Sequence, residues 1–182
     1  QSRLKNGQVS NYSLIDPTAM RHEVITAFSV MHQQLMSLGR PDDAAKLGVI
    51  ELGDELGSMG LLMPSLGERV DYLLSDGEDV NISKDDFMRL FYAGLSSSPI
   101  VGDIHCLNNI VWHPDKGLAF IDRGPIEGKI FTNHEYIYAM AINAAMLGIT
   151  TYRDLPPEML SEITPYEWRK IKRTAEEELA VI

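Results

Sequence analysis

Val101-Gly102-Asp103-Ile104-His105-Cys106-Leu107-Asn108, followed by a hairpin and then by Asp122, is the stretch on which the reading of this chain turns. Asp103 and Asn108 fall in a loop and Asp122 at a strand end, where polar side chains can converge beside a cleft. Two carboxylates and an amide oxygen suit a hard cation such as Mg²⁺, which takes oxygen ligands and keeps several waters. A carboxylate held slightly off the metal can orient a hydroxyl and accept its proton. Such a cluster fits phosphoryl transfer, where catalysis is mostly positioning and charge neutralisation. Taken singly, each of the three residues reads as a solvated turn or strand-end group. Their joint spacing is what gives them chemical meaning.

Working outward, Asn109-Ile110-Val111-Trp112 and Leu118-Ala119-Phe120-Ile121 read as two strands. The turn-rich His113-Pro114-Asp115-Lys116-Gly117 between them makes a hairpin. After Asp122 the chain turns through Gly124-Pro125 and Gly128, and helices follow over about 133–147, 157–163 and 165–179. Upstream, Ser83 with Asp86 resembles a capping box, and Phe87, Leu90, Phe91 and Leu95 give one apolar face of a helix that ends in Ser96-Ser97-Ser98-Pro99. Residues 68–75 read as a short helix. Val49-Ile50-Glu51-Leu52 and Gly60-Leu61-Leu62-Met63 read as antiparallel strands, with Gly53 and Gly57 between them and Pro64 closing the second. Asp16-Pro17 opens a helix as N-cap and first residue, and Met20, Val24, Ala27, Met31, Leu35 and Leu38 repeat at helical spacing up to Gly39. Its Met20, Met31 and Met36 read as core. Residues 1–16 are polar around the turn signal Asn6-Gly7 and read as a strand end or an arm. The order predicts an α+β fold with a small strand-bearing part and a larger helical part.

Gly102-Asp103-Ile104-His105-x-x-Asn108, with 14 residues then leading to Asp122, resembles the catalytic loop and metal-binding aspartate of the protein-kinase-like superfamily. His105 makes the loop most similar to aminoglycoside and choline kinases, which read H-G-D-x-H-x-x-N there. The resemblance implies a truncated bilobal kinase-like fold, with residues 1–66 as a partial N-lobe and 67–182 as a helical C-lobe. It implies Asp103 as catalytic base and Asn108 and Asp122 as metal ligands, with ATP and Mg²⁺ as cofactors. The helix from Pro17 would be the regulatory helix of the smaller lobe, with Glu23 as its ion-pairing acid and Lys5 as the nucleotide-binding lysine. Gly60 to Leu66 resembles the last strand and hinge, so Met63 and Ser65 would meet the adenine. The chain departs from the pattern in four places: it has no G-x-G-x-x-G loop, Val101 replaces the usual His or Tyr, Arg123 stands where Phe is common, and no A-P-E motif follows. With 60 residues after Asp122 it resembles compact bacterial effector kinases in size.

The function implied is an ATP- and Mg²⁺-dependent transfer of phosphate to a hydroxyl of a protein or small molecule. Two alternatives stay open: a pseudokinase or binding module acting through a protein partner, and nucleotidyl transfer on the same fold. A protein partner or an upstream segment would complete the N-lobe. A metal-dependent hydrolase built on Asp103, His105 and Asp122 has no supporting spacing such as H-E-x-x-H.

Composition sets the remaining bounds. The chain has 182 residues, 45% hydrophobic and 23% charged, which places it among folded globular chains rather than disordered or fibrous ones. A net charge of −10 argues against nucleic acid or an anionic membrane as a partner. The single cysteine, Cys106, excludes an internal disulfide framework and suits a reducing compartment, so a cytoplasmic location is expected, or delivery into a host cell for an effector. Its side chain reads as a small buried or half-buried filler. No apolar stretch is long enough to span a bilayer, and Gln1 opens no signal peptide.

Overall fold

The computed structural model describes residues 4–5, 8–9, 17–53, 58–78, 80–105, 107–124, 129–149 and 151–182. The expectations placed on Asn6-Gly7, Asp16, Gly57, Cys106, Pro125 and Gly128 lie outside them. The chain folds as a mixed α+β protein, with strands and one long helix first and a mostly helical C-terminal region.

The first strands, β1 (Leu4–Lys5) and β2 (Gln8–Val9), pair antiparallel with Leu4 opposite Val9. Helix α1 (Pro17–Ser37) follows the expected apolar period and stops two residues before Gly39. Val24, Ala27, Val30, Met31 and Leu35 are buried along one face. Met36 is exposed, against expectation, because five residues after Met31 the helix has rotated it off that face. A one-turn helix, α2 (Pro41–Ala45), leads into β3 (Gly48–Glu51), which pairs antiparallel with β4 (Met59–Leu62).

Residues 68–75 divide rather than forming one helix. Glu68 and Arg69 extend as β5 (Glu68–Arg69) along β7, and the helix α3 (Val70–Ser75) begins only after them. Helix α4 (Lys84–Leu95) starts at Ser83, whose hydroxyl accepts from the Asp86 amide as an N-cap. A two-residue strand, β6 (Val101–Gly102), precedes the loop of interest. The hairpin β7 (Ile110–His113) and β8 (Gly117–Phe120) is one residue shorter than expected at its open end: Asn109 closes a 3-10 turn, and Ile121 lies past the ladder. The strand β9 (Lys129–Ile130) returns to pair with β6. Three helices then complete the chain: α5 (Asn133–Met146), α6 (Pro157–Glu162) and α7 (Pro165–Leu179). A full capping box, Thr164 with Glu167, opens α7.

Two apolar clusters hold these elements together. The larger joins α4, the β7–β8 hairpin and α5 to α7 around Phe87, Phe91, Ile104, Phe120, Met140 and Trp168. The smaller gathers Met31, Leu35, Leu47 and Leu66 with Val111 and Ala119, so the β7–β8 hairpin contributes a face to each. Among the described residues no helix is long and apolar enough to cross a membrane.

Candidate functional site

The hairpin and the loop before it bring Asp103 and Asp122 into the same neighbourhood, and the local chain explains how. Gly102 adopts φ +121, and a Cβ placed there would overlap the Asp122 carbonyl oxygen and the Arg123 backbone. Only glycine therefore lets β6 run directly against the chain leaving β8. The loop beyond it is fixed from two sides. The Asn109 side-chain amide donates to the Asp103 carbonyl at 3.1 Å, and the Asn143 amide, buried on α5, donates to the Ile104 carbonyl at 2.8 Å.

The Asp103 carboxylate is half-buried, with His105 Nδ1 3.1 Å from its Oδ1. Burial pushes the Asp122 carboxyl above the ordinary carboxylate range; the Gly124 N–H, donating to its Oδ1 at 3.4 Å, pulls the other way, and the negative charge of Asp103 pushes it up further. Among the described residues no lysine or arginine forms an ion pair with Asp122.

The other expected residues are placed as follows. Glu23 is buried on α1, and its Oε1 lies where a Cβ on Gly124 would have to go, so α1 packs its carboxylate directly on the Asp122-Arg123-Gly124 turn. Lys5 is a strand position in β1, and its side chain lies outside what is described. Met63 is half-buried against the smaller core cluster, and Ser65 is exposed. Asn108 is exposed in the 3-10 turn Leu107–Asn109, whereas its neighbour Asn109 holds the loop.

Three buried polar residues to which sequence reading gives no role also serve this neighbourhood. Gln34 on α1 grips the backbone of Phe120, two residues before Asp122: its Nε2 donates to the Phe120 carbonyl, and its Oε1 accepts from the Phe120 amide, both at 3.0 Å. Arg123 is buried, with Nε donating to the Val101 carbonyl at 2.5 Å and Nη2 to Ser97 Oγ at 2.8 Å. Asn143 is the third. For Asn143 the signal available beforehand is a polar side chain in the middle of an apolar helical stretch, and for Arg123 a charged residue where Phe is common.

Among the described residues no cluster of three His, Cys, Asp or Glu side chains forms an all-protein metal cage. Mg²⁺ in nucleotide sites needs none: one or two carboxylates share it with phosphate oxygens and water. Asp103 and Asp122, brought together by the Gly102 contact, supply the one or two carboxylates that such a donor set needs. The described hollows lie elsewhere. One of about 560 Å³ opens between the end of α1 and α4 beside Ser37, Met88 and Tyr92. Another of about 170 Å³ sits by Arg40, Asp43 and Lys116, where the two cations pair with Asp43.

No protein-family model matches the chain, and no curated protein or solved structure matches it.

Proposed function

We propose that the chain is an ATP- and Mg²⁺-dependent phosphotransferase with a compact kinase-like fold, acting on a hydroxyl of a protein or a small molecule. The observation that carries this reading is the close backbone contact between Gly102, which precedes Asp103, and the Asp122-Arg123 turn, which brings a loop carboxylate and a strand-end carboxylate to the same place. In this reading Asp122 holds Mg²⁺ on the nucleotide phosphates, with Asn108 at the edge of the site as a second oxygen donor. Asp103 orients the acceptor hydroxyl and takes its proton. Mg²⁺, when bound, neutralises charge on the phosphoryl group in transfer.

The neighbouring residues support the assignment. His105 beside Asp103 limits the directions its carboxylate can take. Glu23, packed on Gly124, puts the acid of α1 next to the turn that carries Asp122. Met63 and Ser65 follow β4 as the stretch that would meet the base.

Phosphate transfer from labelled ATP, measured with Asp103→Asn beside the unaltered chain, tests the proposal. Loss of a general base costs about 10²- to 10⁴-fold in rate while sparing nucleotide binding. Undiminished transfer by Asp103→Asn would remove the mechanism. Binding of Mg²⁺-ATP without transfer to any acceptor would leave a binding module in its place.

A further inference from the structure

Arg123 is among the largest fully buried side chains, at 1% exposure. Among the described residues no carboxylate pairs with it, and its Nη1 has no hydrogen-bond partner. Burying a guanidinium on these terms is expensive, and an apolar side chain of similar size commonly stabilises such a position as well or better. The guanidinium lies 5.4 Å over the Phe120 ring, where an apolar side chain would fill the volume without either penalty. Stability is therefore a poor explanation for an arginine here.

The geometry of its two hydrogen bonds offers a better one. Nε donates to the carbonyl of Val101, two residues before Asp103, while Arg123 itself directly follows Asp122. Nη2 donates to Ser97 Oγ, which in turn donates to the Gly94 carbonyl at 2.7 Å, at the end of α4. The guanidinium is planar, so its donors hold these two acceptors in one fixed geometry, as a lysine could not. Gly102 allows the two chain segments to touch, and Arg123 locks them there.

We infer that Arg123 is the positioning residue of this site: its guanidinium ties the strand leading to Asp103 onto the turn carrying Asp122 and so sets the spacing of the two carboxylates. What the pair holds rests on the phosphotransferase reading; the tie itself does not.

The experiment compares the unaltered chain with Arg123→Lys, which keeps the charge but loses the fork, and Ser97→Ala, which removes one acceptor and leaves Arg123 in place. Each is first checked for folding by circular dichroism. Mn²⁺ binding in the presence of a non-hydrolysable ATP analogue is then followed by electron paramagnetic resonance. Loss of a residue that orients metal ligands costs about 10-fold or more in metal affinity, which is expected of Arg123→Lys. Ser97→Ala should lose about threefold, the share of one hydrogen bond. Affinity for the analogue without metal should stay within about twofold in both, a split that a general loss of structure would not produce. Unchanged Mn²⁺ affinity in the folded variants would overturn the inference, and Ser97→Ala alone decides if Arg123→Lys does not fold. Should the unaltered chain take up no Mn²⁺, the phosphotransferase reading falls. The tie is then judged by amide exchange at Gly102 and Gly124: faster exchange in Ser97→Ala upholds it, and unchanged rates overturn it.

Discussion

The molecule contains two hairpins of nearly the same construction and opposite fate. In each, four-residue antiparallel strands pair in full register, β3 with β4 and β7 with β8. Every residue of β8 is buried. In β3 every residue but Gly48 is exposed, and Val49, Ile50, Leu52 and Leu62 all leave apolar surface open to solvent. The difference lies in what surrounds them. On one side β7 is extended by β5, and on the other β8 is covered by α4 and bonded through Phe120 to Gln34 of α1. Among the described residues β3 and β4 pair only with each other; they lie along α1, and Leu61 alone of their side chains packs against the smaller core cluster.

The lesson concerns where precision is invested. Asp122 emerges from the hairpin held on both faces, and Asp103 precedes it in a loop tied down by Asn109 and Asn143. The stretch expected to meet a nucleotide base leaves the hairpin with Leu62 and Ser65 exposed and Met63 only half-buried. Sparse burial goes with low local stability, so opening should be frequent at β3–β4 and rare at β7–β8.

The largest effect expected from breaking this contrast is that of Phe120→Ala. Phe120 is fully buried between the helices, and its truncation should cost about 3–5 kcal/mol in a urea unfolding experiment. Next comes Gln34→Glu, which removes one donor and places a carboxylate against the Phe120 carbonyl. The buried carboxyl prefers its proton, so its folded pKa rises above the ordinary value of about 4.3. The variant should match the unaltered chain below a pH of about 4.3 and lose stability progressively from there until the pH has passed the raised folded pKa, with a deficit of ~3 kcal/mol near neutrality. A deficit independent of pH would mean that Gln34 does not clasp Phe120 as described. The smallest effect belongs to Leu62→Ala on the exposed hairpin, within about 0.5 kcal/mol in the same urea experiment. A loss there as large as at Phe120 would erase the distinction between the hairpins.

Much of this architecture could be read in advance because it follows local rules. The apolar period of α1, the serine cap of α4, the turn residues of the β7–β8 hairpin and the proline-led start of α7 each act within a few residues. What could not be read depends on distant partners. The strands β6 and β9 have two residues each and no periodicity, and only the fold brings Val101 opposite Ile130. Glu68 and Arg69 extend because β7 offers an edge, although their own sequence suits a helix. Gln34, Arg123 and Asn143 are polar residues that composition assigns to the surface; each is buried because it bonds a backbone group far away in sequence. For the site itself, Asp103 and Asp122 were visible as a spaced pair, and the fold brings the chain before Asp103 against the Asp122 backbone. The arginine between the two segments was visible only as a departure from a pattern.

The most direct test of the central claim, that these two carboxylates hold a Mg²⁺-nucleotide, is a thermal unfolding scan with and without Mg²⁺-ATP, run beside Asp122→Asn. Ligand at about ten times its dissociation constant adds ~1.4 kcal/mol of stability. For a chain of this length that is a rise of roughly 3–6 °C. The account predicts a rise that requires Mg²⁺ and is largely lost in Asp122→Asn. No rise at saturating nucleotide, or an equal rise in Asp122→Asn, would contradict it.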